Sequence, residues 1–180
     1  MSNFLHLIGL IGLFVIASIT ISFLFYFIKG IFSKRRITIS NEILINRNRM
    51  EVFEFVRFLF NQRFYIFSAM VDPDIEREIS GIDGYPGAKL KWNSSLIGKG
   101  YQEIVELCEG SKIIIHSKAK RESHIISFEI STTEENVTQI IKTIIIKPDF
   151  PFPVSKKSLN RFNSIQRSNL LNLKNYLEKK

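Results

Sequence analysis

The chain predicts an α+β fold in which segregated helices cover an antiparallel meander, with one membrane-spanning helix placed before it. Three features carry that reading: a run of 24 residues without formal charge, Leu5–Ile28; a series of short β-rich runs parted by turn signals; and an amphipathic stripe in residues 156–178. With 180 residues there is room for one domain of ordinary size and little for a second.

The apolar run comes first. At ~1.5 Å rise per residue it makes roughly 36 Å of helix, enough to cross a ~30 Å hydrocarbon core with some tilt. A cleaved signal peptide needs a basic stretch ahead of a shorter apolar core and a small-residue cleavage site. Here Met1-Ser2-Asn3 carries no Lys or Arg, and the basic cluster Lys29, Lys34, Arg35 and Arg36 follows the run. The positive-inside tendency puts the C-terminal side in the cytoplasm. Residues 1–36 are therefore expected to form a single-pass transmembrane anchor with a basic flank, and residues 37–180 a cytoplasmic domain.

Within that domain, residues 37–46 alternate loosely and read as a first strand. Residues 49–60 set Val52, Phe53, Val56, Leu59 and Phe60 on one helical face. A polar-aromatic stretch follows, broken at Asp72-Pro73-Asp74. Strand-like runs then fall at 75–80, 87–93, 99–108, 111–121, 123–133 and 136–147. Tight turns between consecutive runs imply antiparallel pairing. Pro148, Pro151 and Pro153 end regular structure before the last helix, whose stripe is Leu159, Phe162, Leu170, Leu173 and Leu177.

Charge is unevenly spread. Residues 37–149 carry 14 basic and 16 acidic residues, whereas residues 150–180 carry seven basic residues and only Glu178. A nucleic-acid binder concentrates positive charge on its folded core, and this core is near neutral, so no nucleic acid is expected. One cysteine, Cys108, excludes an internal disulfide framework and a Cys-based zinc cluster. Nothing in the sequence asks for a metal or a cofactor.

The stretch Gly81-x-x-Gly84-Tyr85-Pro86-Gly87-Ala88-x-x-x-Trp92, then Gly98-Lys99-Gly100 and Gln102-Glu103-Ile104, resembles the polyketide cyclase/dehydrase branch of the START-like (SRPBCC) superfamily. Ile45-Asn46-Arg47, the helix Glu51–Val56, Asp72-Pro73 and Asn136-x-Thr138-x-Ile140 match its pattern in order, so the resemblance spans residues 37–178. It implies a helix-grip fold: a curved antiparallel sheet of about seven strands around a long C-terminal helix, with a hydrophobic cavity between them. The glycines themselves read as turn residues and argue for fold, not for a phosphate site. The chain departs from the family pattern where it has Ser68 in place of a Trp and Lys142 in place of an aromatic residue. Both positions face the cavity if the match holds.

The resemblance implies a cavity wall of Phe60, Phe64, Phe67, Met70, Trp92, Ile104, Ile115, Phe128 and Ile140, with Phe162 and Leu170 from the closing helix. Lys142 either projects into that cavity, where it would hold a ligand's carboxylate or phosphate, or lies on the outer face of a strand apolar on both sides. The function expected is a membrane-anchored domain binding a hydrophobic small molecule or lipid. An enzyme acting on a polyketide-like substrate is the alternative, with Lys142, His124 or Tyr101 as its only acid–base candidates. A third reading is an interaction protein whose cavity its own side chains fill. Lys156, Lys157, Arg161, Arg167 and Lys174 on the last helix are candidates to meet an anionic membrane surface.

Overall fold

The structure, a computed structural model, describes residues 2–32, 36–72, 74–119, 122–148 and 154–179. Lys34 and Arg35 of the basic flank, and Pro73, Pro151 and Pro153, lie outside the described residues. Helix α1, Ser2–Phe32, is apolar all round and exposed along nearly all of its described side chains. Its stretch Ile8–Lys29 is long and apolar enough to cross a membrane.

The remainder is a seven-stranded sheet grasped by helices. Its strands are β1 Ile37–Ile45, β2 Glu76–Ser80, β3 Lys89–Asn93, β4 Gly100–Cys108, β5 Lys112–Ala119, β6 Glu122–Glu134 and β7 Val137–Pro148. They lie in the order β1-β7-β6-β5-β4-β3-β2, each pair antiparallel. Strands β2 to β7 form the meander the turn signals predict. The first strand returns to pair with the last, Ile37 opposite Ile146 and Ile45 opposite Thr138. The long helix α4, Lys156–Lys179, packs against the concave face. This is the helix-grip arrangement that the resemblance implies.

Strand alternation explains which residues meet. Along β7, Thr138, Ile140, Lys142, Ile144 and Ile146 all turn inward and are buried, while their neighbours are partly exposed. Leu170, Leu173 and Leu177 of α4 are at most 2% exposed against that face. Burying each contributes roughly 1.5–3 kcal/mol. Polar contacts then fix the helix in register: Asn41 Nδ2 donates to Asn163 Oδ1 at 2.9 Å, and Arg167 Nε donates to Asn41 Oδ1 at 3.2 Å. At the far end Arg47 Nε donates to the Leu177 carbonyl at 2.8 Å, a cation on a helix C-terminus. The exposed basic side chains of α4 are Lys156, Lys157, Arg161, Arg167 and Lys179; Lys174 is half-buried and pairs with Glu178 at 3.6 Å.

Between β1 and β2 the chain departs from the sequence expectation. Helix α2, Arg49–Arg57, starts as expected, with Asn48 capping Met50 N at 2.9 Å, but it stops before residue 60. Phe58 is extended, and a separate 3₁₀ helix, Leu59–Phe64, begins there, followed by the short helix α3, Phe67–Val71. The cause is Asp83. Its two carboxylate oxygens accept from Leu59 N at 2.8 Å and Phe60 N at 3.0 Å, satisfying donors that start the new turn. Leu59 stays buried as the periodicity predicts, while the break turns Phe60 to the surface, half-exposed.

Asp83→Ala is expected to lower stability by about 1–2 kcal/mol, the usual cost of a lost cap. Asp83→Asn, which keeps one acceptor, should lose less. Thermal unfolding of the full chain in detergent micelles, followed by circular dichroism, checks the ranking Asp > Asn > Ala.

Candidate functional site

The interior under α4 is packed. Ile104, Ile115, Phe128, Ile140 and Leu170, all expected to line a cavity, are at most 2% exposed and belong to one core cluster. Phe64 stacks instead on Phe55 and Tyr176, with centroids 6.4 Å and 4.9 Å away, and Phe162 sits 5.9 Å from His124. Phe67 and Met70 are about half-exposed on α3. The twelve residues chosen from sequence therefore do not surround one space.

Open space lies at the other end of the concave face, where the 3₁₀ helix and α3 cross β2, β3 and β4. A recess of about 490 Å³ is lined by Leu59, Phe60, Arg63, Asp72, Ile75, Arg77, Ile79 and Leu90. It adjoins a small one of about 70 Å³ that shares Ile75, Arg77 and Leu90 with it and adds Gln62, Ile66, Ser68, Trp92, Ile97 and Gln102. A third recess, about 600 Å³, is lined by residues of β2 to β5, among them Arg77, Trp92 and Tyr101. Of the twelve residues expected to line the cavity, Phe60 and Trp92 reach these spaces, and the acid–base candidate Tyr101 lines the third. Ser68, the position where the family pattern has a Trp, lines the small one.

Each wall has a local cause. Trp92 stands directly opposite Gly100 across β3 and β4. A Cβ on Gly100 would collide with the indole and lie 2.6 Å from the Lys118 carbonyl oxygen, so only glycine lets the ring lie on the strand. The indole Nε1 is buried with no hydrogen-bond partner. Gln62 Nε2 donates to Gln102 Oε1 at 2.7 Å, tying the 3₁₀ helix to β4. Arg77 and Ile79 face inward while Glu76, Glu78 and Ser80 face out.

Sequence reasoning missed Arg77, Arg63, Gln62 and Gln102. One signal was present: in Glu76-Arg77-Glu78-Ile79 the arginine shares a strand face with the isoleucine, not with the glutamates.

Lys142 turns inward, and of its two readings the structure places it on the inner face. It is 4% exposed, donates from Nζ to Gln166 Oε1 at 2.8 Å, and lies 5.3 Å from the Phe128 ring centroid. It lines none of the three recesses. Burial pushes its ammonium down to about 8. Burial also pushes the Tyr65 phenol up.

The three acid–base candidates do not converge. Phe128 stands opposite Lys142, and His124 is four residues from Phe128 along β6, roughly 13 Å by strand rise. Tyr101 points to the outer face beside Lys118. His124 pairs with Glu122 at 3.1 Å. Among the described residues no group of three or more His, Cys, Asp and Glu side chains could hold a metal ion.

No protein-family model matches the chain, and no curated protein does. Solved structures do. The crystal structure of Ara h 8.0201 superposes with a TM-score of 0.61 at 12% identity, covering 81% of this chain and 99% of its own. The Aha1 dimer from Colwellia psychrerythraea gives 0.57 at 17% identity, covering 79% and 96%. An uncharacterised protein from Rhizobium leguminosarum gives 0.61 at 13% identity, covering 81% and 96%. At these identities the likeness shows the fold alone, a helix-grip.

The depressed Lys142 pKa gives a signed pH dependence. Between about 8 and the ordinary lysine value of about 10.4, the unfolded chain holds a proton that the folded chain has released, so stability rises with pH across that window. The full rise is about 3 kcal/mol, at 1.36 kcal/mol per pKa unit. Comparing the unfolding free energies of wild type and Lys142→Met at pH 7 and pH 10 should show wild type gaining on the variant. Parallel pH profiles would refute the buried charge.

Proposed function

We propose that this chain is a membrane-anchored helix-grip protein that holds a hydrophobic small molecule or lipid in the paired recess between the 3₁₀ helix, α3 and strands β2 to β4. Leu5–Ile28 serves as the anchor, with the α+β body on the cytoplasmic side. The observation that carries the reading is the composition of that recess. Leu59, Ile66, Ile75, Ile79, Leu90, Trp92 and Ile97 supply apolar walls, and a few polar groups converge on them. Concave, mostly apolar space with sparse polar groups is what small-molecule sites require. The combined volume is of the size that accepts such molecules.

A second reading rests on the packed interior. Because Ile104, Ile115, Phe128 and Ile140 fill the space under α4 themselves, the body can act as an interaction module with no ligand. Binding separates the two.

The full chain, purified in mild detergent and released into a native mass spectrometer, should carry a co-purified hydrophobic molecule. Ser68→Phe, which places a ring in the smaller recess, should abolish that adduct without lowering the melting temperature. An adduct-free wild type that also fails to take up an added fluorescent fatty-acid or sterol probe would favour the interaction module. For the anchor, the protein should stay with membranes through an alkaline carbonate wash, and a phosphatase active only outside the membrane, fused after Lys180, should be silent.

A further inference from the structure

Two arginines and one aspartate line the recess of about 490 Å³. Arg77 enters from β2 and lines all three recesses. Arg63 enters from the 3₁₀ helix. Its guanidinium carbon lies 3.8 Å from the Phe60 ring centroid and 4.5 Å from that of Phe64, so two aromatic faces hold the fork in place. The one acid lining that recess is Asp72, which is 4% exposed and already accepts a short hydrogen bond from Ser94 Oγ. Among the described residues that line it, two side chains are cationic and one is anionic, beside the apolar wall of Leu59, Ile75, Ile79 and Leu90.

The two arginines feel each other's charge. Burial and the neighbouring Arg63 hold the Arg77 pKa below its ordinary value, and Asp72 acts in the opposite direction. A guanidinium stays charged throughout the physiological range, so an anion brought into the recess relieves the repulsion at any such pH.

We propose that Arg63 and Arg77 form a head-group site, so that the pocket selects amphiphiles carrying one anionic end, a carboxylate or a phosphate monoester, over neutral molecules of the same length. This rests on the reading of the recess as a hydrophobic-ligand pocket. The anionic end lies between the two guanidinium forks, which match carboxylate and phosphate oxygens in bidentate fashion. The chain of the ligand runs from there along Ile75 and Leu90 toward Trp92 in the smaller recess.

The test uses the full chain in a neutral amphipol and reads quenching of its one tryptophan, Trp92. Three brominated probes of equal chain length are titrated: a carboxylate, a phosphate monoester and an alcohol. At least one of the two anions should bind roughly tenfold or more tighter than the alcohol, the gain expected of charge-assisted hydrogen bonds. Arg63→Gln, on an exposed position, and Arg77→Gln should each bring the anion preference toward unity while leaving the alcohol's affinity in place. Arg77→Lys, which keeps the charge and loses the fork, should fall between. A tighter carboxylate points to free fatty acids and a tighter phosphate ester to lipid head groups; either supports the site. Equal binding of all three probes overturns the head-group site alone, as does full anion preference in both Gln variants. Absence of quenching by every probe overturns the pocket reading with it.

Discussion

One helix has to cover seven strands, and it is too narrow to do so. A helix with its side chains is about 10–12 Å across, whereas seven strands spaced 4.7–4.9 Å apart span roughly 30 Å. The sheet curls around α4, so that β1, β7, β6 and part of β5 close on the Leu170, Leu173 and Leu177 stripe. The strands beyond, β4, β3 and β2, are left for another element to cover. The segment between β1 and β2 does so with a short 3₁₀ helix and one turn of α-helix, which are too small to fill the volume beneath them. The two recesses beneath them, about 490 and 70 Å³, are what remains. Their place at the β2 end, away from the long helix, follows from widths alone.

The same division sorts the polar residues of the concave face. Under α4, polar groups are satisfied by the helix itself: Asn41 by Asn163 and Arg167, and Lys142 by Gln166. They act as register pins in a packed interior. Toward β2, polar groups pair across a space: Gln62 reaches over to Gln102, and Asp72 to Ser94. These pairs hold the 3₁₀ helix and the segment after α3 to the sheet without closing the gap, and they leave the arginines at its rim. Lys142 and Arg77 both turn inward from strands, yet one is sealed and the other opens on three recesses. The difference is which element lies above each.

Much of this was legible in the residues. The seven strands fell close to their observed bounds because turn signals part consecutive β-rich runs; Gly110 and Asn136, both at positive φ, mark two of those turns. The α4 stripe was legible for the same reason at helical period. The segment from residue 58 to 72 was not. Its break depends on Asp83, some 24 positions away, whose carboxylate caps Leu59 and Phe60, and no local pattern announces a long-range cap. That one contact moved Phe60 outward and displaced the expected cavity wall. The candidate site was misread in a second way. Apolar residues were chosen for a cavity because they are apolar, but Ile104, Phe128 and Ile140 are the residues that fill a core. The open space lies toward β2, where Ile75, Ile79 and Leu90 border it together with Arg77 and Gln102 on inward strand faces.

The pairing of the first strand with the last sets a timetable for folding. Ile37 meets Ile146, so β1 leaves the ribosome about a hundred residues ahead of its partner. At 5–20 residues per second, that is a wait of roughly 5–20 s. During it the meander from β2 onward can form by local hairpins, but the sheet lacks its terminal strand and α4 has no finished surface to dock on. Pairings of such sequence separation also slow the search once synthesis ends. Thr38, Ser40 and Glu42 make most of one face of β1 polar, while Ile37, Ile39, Ile43 and Ile45 leave its other face apolar and uncovered until β7 and α4 are made. The architecture thus keeps the protein's N-terminal strand unpaired until β7 is made, and completes the fold only after the final helix has been made.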